Sequence, residues 1–285
     1  MFSADRPSIG VVVLSLVISS VQLGHSQPAP TGTLGWTVGS KGTILYTADG
    51  GTSWKVQNSG TSEALTAVAF VTPQSGWTVG TSGTILHTAD GGASWKPQSG
   101  GTTTTDLWFV AFPTPQLGWA GGLNGIILHT ADGGASWKRQ SNSTHVDLHS
   151  AAFATPNSGW TAGSDATILH TADAGGGWTP QRTGNSTDIE LTSVAFATPQ
   201  LGWAVGDLGT IMHTEDAGTT WKWQSSPIYY YRLHSVAFAT PQSGWTVGDH
   251  GTIMHTEDGG ATWRLQSSGT FQSLLSVTFA APQQP

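Results

Sequence analysis

The chain has 285 residues, no cysteine, 9% charged residues and a formal net charge of -7. Lack of cysteine excludes disulfides, zinc-thiolate sites and thiol nucleophiles together. An acidic balance without a basic stripe excludes nucleic acid as a partner.

In chain order, the first element is an apolar run over residues 9–23, preceded by Arg6 and followed by Gly24, His25, Ser26 and Gln27. It reads as a signal peptide over residues 1–26, with small residues placed for cleavage after Ser26. The run is shorter than the roughly 20 residues of a spanning helix. The expected destination is an exported compartment (periplasm, thylakoid lumen or extracellular space), with a membrane-anchored form if the segment stays uncleaved. Residues 27–33 form a short Pro-rich linker, and residues 34–285 a single domain.

That domain is six copies of one unit, each with a Gly-Trp pair and a Thr-x-Asp-x-Gly-x-x-Trp box. The Gly-Trp tryptophans are Trp36, Trp77, Trp119, Trp160, Trp203 and Trp245, at steps of 41, 42, 41, 43 and 42 residues. Periods of roughly 40 to 45 containing several short strands indicate β-propeller blades. The second copy predicts strands at 65–70, 76–80, 84–88 and 94–98, and no helical period competes with them. The expected fold is all-β, a propeller of six four-stranded antiparallel blades. Its first Gly-Trp strand has no strand before it in the domain, whereas residues 275–280 form an unpartnered strand at the end. Pairing between these two is therefore expected to close the ring.

The box aspartates Asp49, Asp90, Asp132, Asp173, Asp216 and Asp258 read as structural rather than catalytic or metal-binding. In a tight turn the carboxylate accepts backbone N–H groups while glycine supplies positive φ. The fourth box, with Ala174 and Gly177 in place of Gly and Ser, is expected to be the loosest. His87, His129, His170, His213 and His255 precede five boxes, one per blade and far apart, so they read as packing residues; no metal and no cofactor is expected.

The pattern Gly-Trp-x-Val-Gly-x-x-Gly-Thr-Ile-x-x-Thr-x-Asp-Gly-Gly-x-x-Trp, clearest at 76–95 and 244–263, resembles the photosystem II stability and assembly factor family. The resemblance covers nearly the whole chain after Thr33. It implies an exported, non-enzymatic propeller that holds a newly made reaction-centre protein. It also implies seven blades and an arginine-rich patch, where this chain shows six units and, after the leader, only Arg139, Arg182, Arg232 and Arg264.

The Asp box is shared with sialidases, but the convergent arginines of a sialidase site are missing. A glycoside hydrolase would need two carboxylates flanking a sugar bond, for which Glu63, Asp106, Asp147, Asp165, Asp188, Glu190, Asp207 and Asp249 are the non-box candidates. No catalytic residue is assigned. Turns after the first and third strands barely change between copies, whereas connections after the second and fourth strands differ, and both of the latter emerge on one face. Loops that vary on a rigid scaffold carry function. Twelve of the 14 tryptophans fill repeat slots; Trp108 and Trp223 do not. With Phe109, Tyr229, Tyr230, Tyr231 and Arg232 they form the candidate partner-binding set, since aromatic and arginine side chains dominate interface energetics. The expected partner of this monomer is a protein or peptide segment, by resemblance a photosystem II reaction-centre precursor. The alternative is a carbohydrate bound by a lectin-like or adhesive propeller.

Overall fold

A computed structural model describes residues 15–17, 34–99, 103–184 and 188–278. They form six four-stranded antiparallel sheets, the blades of a β-propeller. Each of the second to sixth sheets is one sequence unit, with strands in chain order from the centre outward. In the second sheet these are Leu65–Phe70, Gly76–Gly80, Ile85–Thr88 and Lys96–Pro97. Outermost strands of the second to fifth sheets shrink to two residues, and Pro97 offers no N–H on its exposed edge. Short, proline-bearing edges are how sheets avoid pairing with strangers.

The Gly-Trp pair is explained by packing between sheets. Trp77 stacks on Phe112 of the next sheet, with centroids 3.6 Å apart and planes 12° from parallel. The pairs Trp36–Phe70, Trp119–Phe153, Trp160–Phe196 and Trp203–Phe238 repeat this. Each phenylalanine in turn lies over the glycine of its own sheet's pair; an added Cβ at Gly76 would meet the Phe70 ring at 2.6 Å. The box tryptophan closes the layer edge-on, as in Phe70–Trp95 at 5.9 Å and 89°. Between sheets there is thus a Trp/Phe/Trp sandwich, the apolar layer that a single small sheet cannot bury alone.

Where the sixth sheet would meet the first, the structure departs from the sequence expectation. The inner edge of Leu34–Gly39 pairs with Ser15–Val17, which lies inside the predicted signal peptide, and not with the C-terminal segment. Leu34–Gly39 presents an open edge that accepts any extended apolar segment, and residues 9–23 supply one from the shorter side of the chain. Residues 275–278 instead stand beside the sixth sheet, where Val277 N donates to Ser235 Oγ at 3.2 Å. Trp54, the box tryptophan of the first sheet, is 39% exposed, against 4–7% for the other five. The cleavage site, the linker at 27–33 and residues 279–285 lie outside the described residues. Among the described residues no helix is long and apolar enough to cross a membrane.

Candidate functional site

The two kinds of conserved turn share one face, where Gly91 N donates to Gln74 O. There each box is a closed hydrogen-bond circuit. Asp90 Oδ1 accepts from Thr88 Oγ1 and Ser94 N, both at 2.8 Å, and Oδ2 accepts from Ser94 Oγ at 2.6 Å. The buried Thr88 Oγ1 accepts in turn from Gly92 N at 2.7 Å. The same circuit holds at Asp49, Asp132, Asp216 and Asp258. Bonds from the Ser or Thr four residues on, then from the box threonine, hold Asp49, Asp90, Asp132 and Asp258 down at about 2. Each of these carboxylates accepts three bonds from its own turn.

The fourth box makes fewer bonds, because Gly177 has no hydroxyl to reach Asp173 Oδ2. Trp77, Trp160 and Trp203 donate from Nε1 to the following sheet's box turn at 3.1–3.2 Å, whereas among the described residues Trp36, which faces the second box, and Trp119, which faces the fourth, have no partner for their buried Nε1. Ala174 sits there at φ 56°.

The five histidines stack on the Gly-Trp tryptophans of their own sheets, with centroids 4.1–4.7 Å apart. His87, His170 and His255 also contact Ser75, Ser158 and Ser243 at 3.1–3.3 Å. Burial lowers the pKa of His87, His129, His170 and His213. Among the described residues no three His, Asp or Glu side chains gather where a metal ion would sit.

The opposite face carries the connections after the second and fourth strands. The former vary in sequence but not in backbone. Lys41, Ser82, Asn124, Asp165, Leu208 and His250 all occupy the left-handed region at φ 55–56°, and all are exposed. The next residue, glycine in five copies and Ala166 in the fourth, keeps a positive φ and packs against the connection that follows the fourth strand. At Gly209 the N–H donates to Tyr231 O at 2.8 Å, and a Cβ would collide with the Ile228 carbonyl. Only the connections after the fourth strands differ in course.

At the inner end of this face, side chains from four sheets form a chain of contacts running from Trp108 to Asp207, with a separate His234–Asp249–Ser273 cluster beside it. Trp108 stacks on His149 with centroids 4.8 Å apart. His149 Nε2 lies 2.7 Å from Glu190 Oε1, and Arg232 reaches Glu190 Oε2 at 2.8 Å and Asp207 Oδ1 at 3.3 Å. His234 Nε2 contacts Asp249 Oδ1 at 2.8 Å, and Ser273 Oγ donates to the same oxygen. The hydrogen bond to His149, with Arg232 beside it, holds Glu190 below the usual carboxylate range. Burial pushes Asp207 up, against the pull of Arg232.

The predicted residues fall in three places. Trp108 and Arg232 belong to this chain of contacts. Tyr229, Tyr230 and Tyr231 are 66%, 87% and 40% exposed beside it; Tyr231 stacks on His250 at 4.5 Å and edges a groove of about 630 Å³ lined also by Ile228, Leu265 and Phe271. Trp223 is exposed but lies on the outermost strand of the fifth sheet, Lys222–Trp223, on the rim. Phe109 is a correction: it is 6% exposed and packed with Trp119, Leu148 and Trp178. Strand alternation turns it inward where its neighbour Trp108 turns out. Sequence reasoning missed His149 and His234 altogether. Both follow the leucine that opens an inner strand, the slot of Trp108 in the third copy, and that shared slot was the available signal.

Among solved structures, YCF48 from Cyanidioschyzon merolae is 20% identical with a TM-score of 0.73, over 98% of this chain and 92% of that one. YCF48 bound to D1 peptide is also 20% identical, at a TM-score of 0.71 over 91% and 81%. An ancestral GH74 enzyme is 14% identical at 0.64, and the alignment spans 33% of that chain. At these identities the likeness is one of fold. No curated protein matches the sequence. The family profile described as photosynthesis system II assembly factor YCF48 matches residues 57–146 and 140–226. Those matches span more than half of the sequence, and the chain belongs to the YCF48 photosystem II assembly factor family.

Proposed function

We propose that this protein is an exported, non-catalytic scaffold that holds an extended protein segment across the face bearing Trp108, Tyr229, Tyr230, Tyr231 and Arg232. The observation that carries this reading is the contrast between neighbours on that face. Three tyrosines stand exposed, next to an arginine clamped by two carboxylates and a tryptophan stacked on a fixed histidine. Rigid aromatic platforms beside polar groups are the make-up of peptide-binding hot spots. Arg232 occupies both Glu190 and Asp207, which argues against their serving as a hydrolytic pair. A related YCF48 was solved with D1 peptide, so a photosystem II reaction-centre precursor is the partner class we assign.

Calorimetric titration with a D1 peptide tests this, repeated with Tyr230→Ala and Trp108→Ala. Saturable binding weakened by both substitutions supports the reading. Equal affinity in all three proteins places the site elsewhere, and binding on a glycan array with none to peptide favours the lectin-like alternative.

A further inference from the structure

The C-terminal segment repeats the start of a blade residue by residue. Leu274, Ser276, Val277, Phe279 and Pro282 fall in the slots of Leu233, Ser235, Val236, Phe238 and Pro241. Its contact with the sixth sheet has the same register as its predecessors. Val194 N donates to Ser150 Oγ and Val236 N to Ser193 Oγ, and Val277 N donates in the same way to Ser235 Oγ. The segment is thus stacked as the innermost strand of a following blade.

The strand that such a segment would pair with is Leu34–Gly39. In the second sheet the register is Val68↔Thr78, Ala69↔Trp77 and Phe70↔Gly76. Carried over, it sets Val277 opposite Thr37, Thr278 opposite Trp36 and Phe279 opposite Gly35. Gly35 and Trp36 are the residues that Leu16 and Ser15 hold. In five sheets the glycine of the pair lies beneath a phenylalanine ring, and in the first sheet Gly35 is paired with Leu16.

We propose that the inner edge of Leu34–Gly39 is an exchangeable strand-acceptor site. The leader strand Ser15–Val17 fills it in the full chain, and the C-terminal segment takes it when the leader is removed. Exchange pairs Val277 with Thr37 and Thr278 with Trp36, and draws the sixth sheet towards Trp54, whose exposure marks that boundary as open. Ring closure, and with it the finished mouth of the propeller, then follows leader removal rather than synthesis.

The absence of cysteine makes the test clean. Thr37→Cys and Val277→Cys are introduced together into the full chain, with a site-specific protease site placed within residues 27–33. Mild oxidation is carried out before and after cleavage, with circular dichroism reporting that the sheets persist. The crosslinked fraction should rise about tenfold on cleavage, as a tethered competitor loses its effective concentration. The pair Val17→Cys and Leu34→Cys should crosslink only in the uncleaved chain. Equal Thr37–Val277 crosslinking before and after cleavage, or none in the cleaved and folded protein, overturns the proposal.

Discussion

Trp108 and His149 lie face to face across the boundary of the third and fourth sheets, their planes 4° from parallel. The imidazole cannot turn, because its Nε2 is held by Glu190. Replacing it separates the two contributions. His149→Phe should keep the stack and lose the hydrogen bond, lowering stability by about 1 kcal/mol with little change in peptide affinity. His149→Ala should also free Trp108 and weaken peptide binding about tenfold. Urea unfolding and titration on the two variants check both halves.

The buried hydroxyl of each box, rather than its carboxylate, is the part that solvent cannot replace. Thr88 is 1% exposed, and its Oγ1 is the acceptor for the buried Gly92 N–H. Thr88→Val keeps the shape and strands that N–H. A loss of about 1–3 kcal/mol is expected, read as a lower urea midpoint at unchanged slope. A midpoint equal to the parent's would show that the turn rests on other bonds.

The fourth box can be repaired. Gly177 has an ordinary negative-φ backbone, and a Cβ built there meets nothing closer than Asp173 Oδ2 at 4.0 Å. Gly177→Ser restores the missing hydroxyl and reduces the freedom of the unfolded chain. The expected gain is about 1 kcal/mol. Thermal melting of the variant against the parent measures it, and a gain confined to this copy is the signature, since the other boxes already carry Ser or Thr.

Stability should fall with acid in two stages. Burial, reinforced at His87 and His129 by a nearby lysine and opposed at His213 by Glu215, sets four histidines below their unfolded value of 6.5. The unfolded chain therefore binds protons first, and this stability, complete above pH 6.5, is lost as pH drops towards the lowered values. Four box aspartates have folded values of about 2 against 3.8 unfolded. Their contribution is complete above pH 3.8 and lost as pH falls through about 2. Urea midpoints from pH 8 to pH 2 should show both declines with a flatter interval between them.

The six sheets, their strand order and the box turns were legible because each rests on local chemistry repeated six times. Gly76 beneath Phe70 and Trp77 against Phe112 are contacts that recur with the period, so the period reveals them. The first sheet's innermost strand was not legible in this way. The repeat pointed to residues 275–280 for that place, whereas the edge of Leu34–Gly39 pairs with Ser15–Val17, a segment outside the repeat. Phe109 was misplaced because it was grouped with Trp108 by composition, although the alternation Leu107 in, Trp108 out, Phe109 in was present in the sequence. His149, Glu190 and Arg232 meet only through the curvature of the ring. They come from three successive copies: Glu190 and Arg232 share the slot before the leucine that opens an inner strand, and His149 lies just after its own.

The left-handed turns after the second strands give the propeller six display positions. At Lys41, Ser82, Asn124, Asp165, Leu208 and His250 the side chain on show is exposed, while the residue that follows keeps a positive φ and, at Gly42, Ala166 and Gly209, donates its N–H to the connection after the fourth strand. Six different residue types already stand there: a cation, a hydroxyl, an amide, a carboxylate, an aliphatic chain and an imidazole. A substitution at any one of them changes the chemistry presented around the mouth without asking the ring to refold. The fold thus separates what it must keep from what it is free to vary.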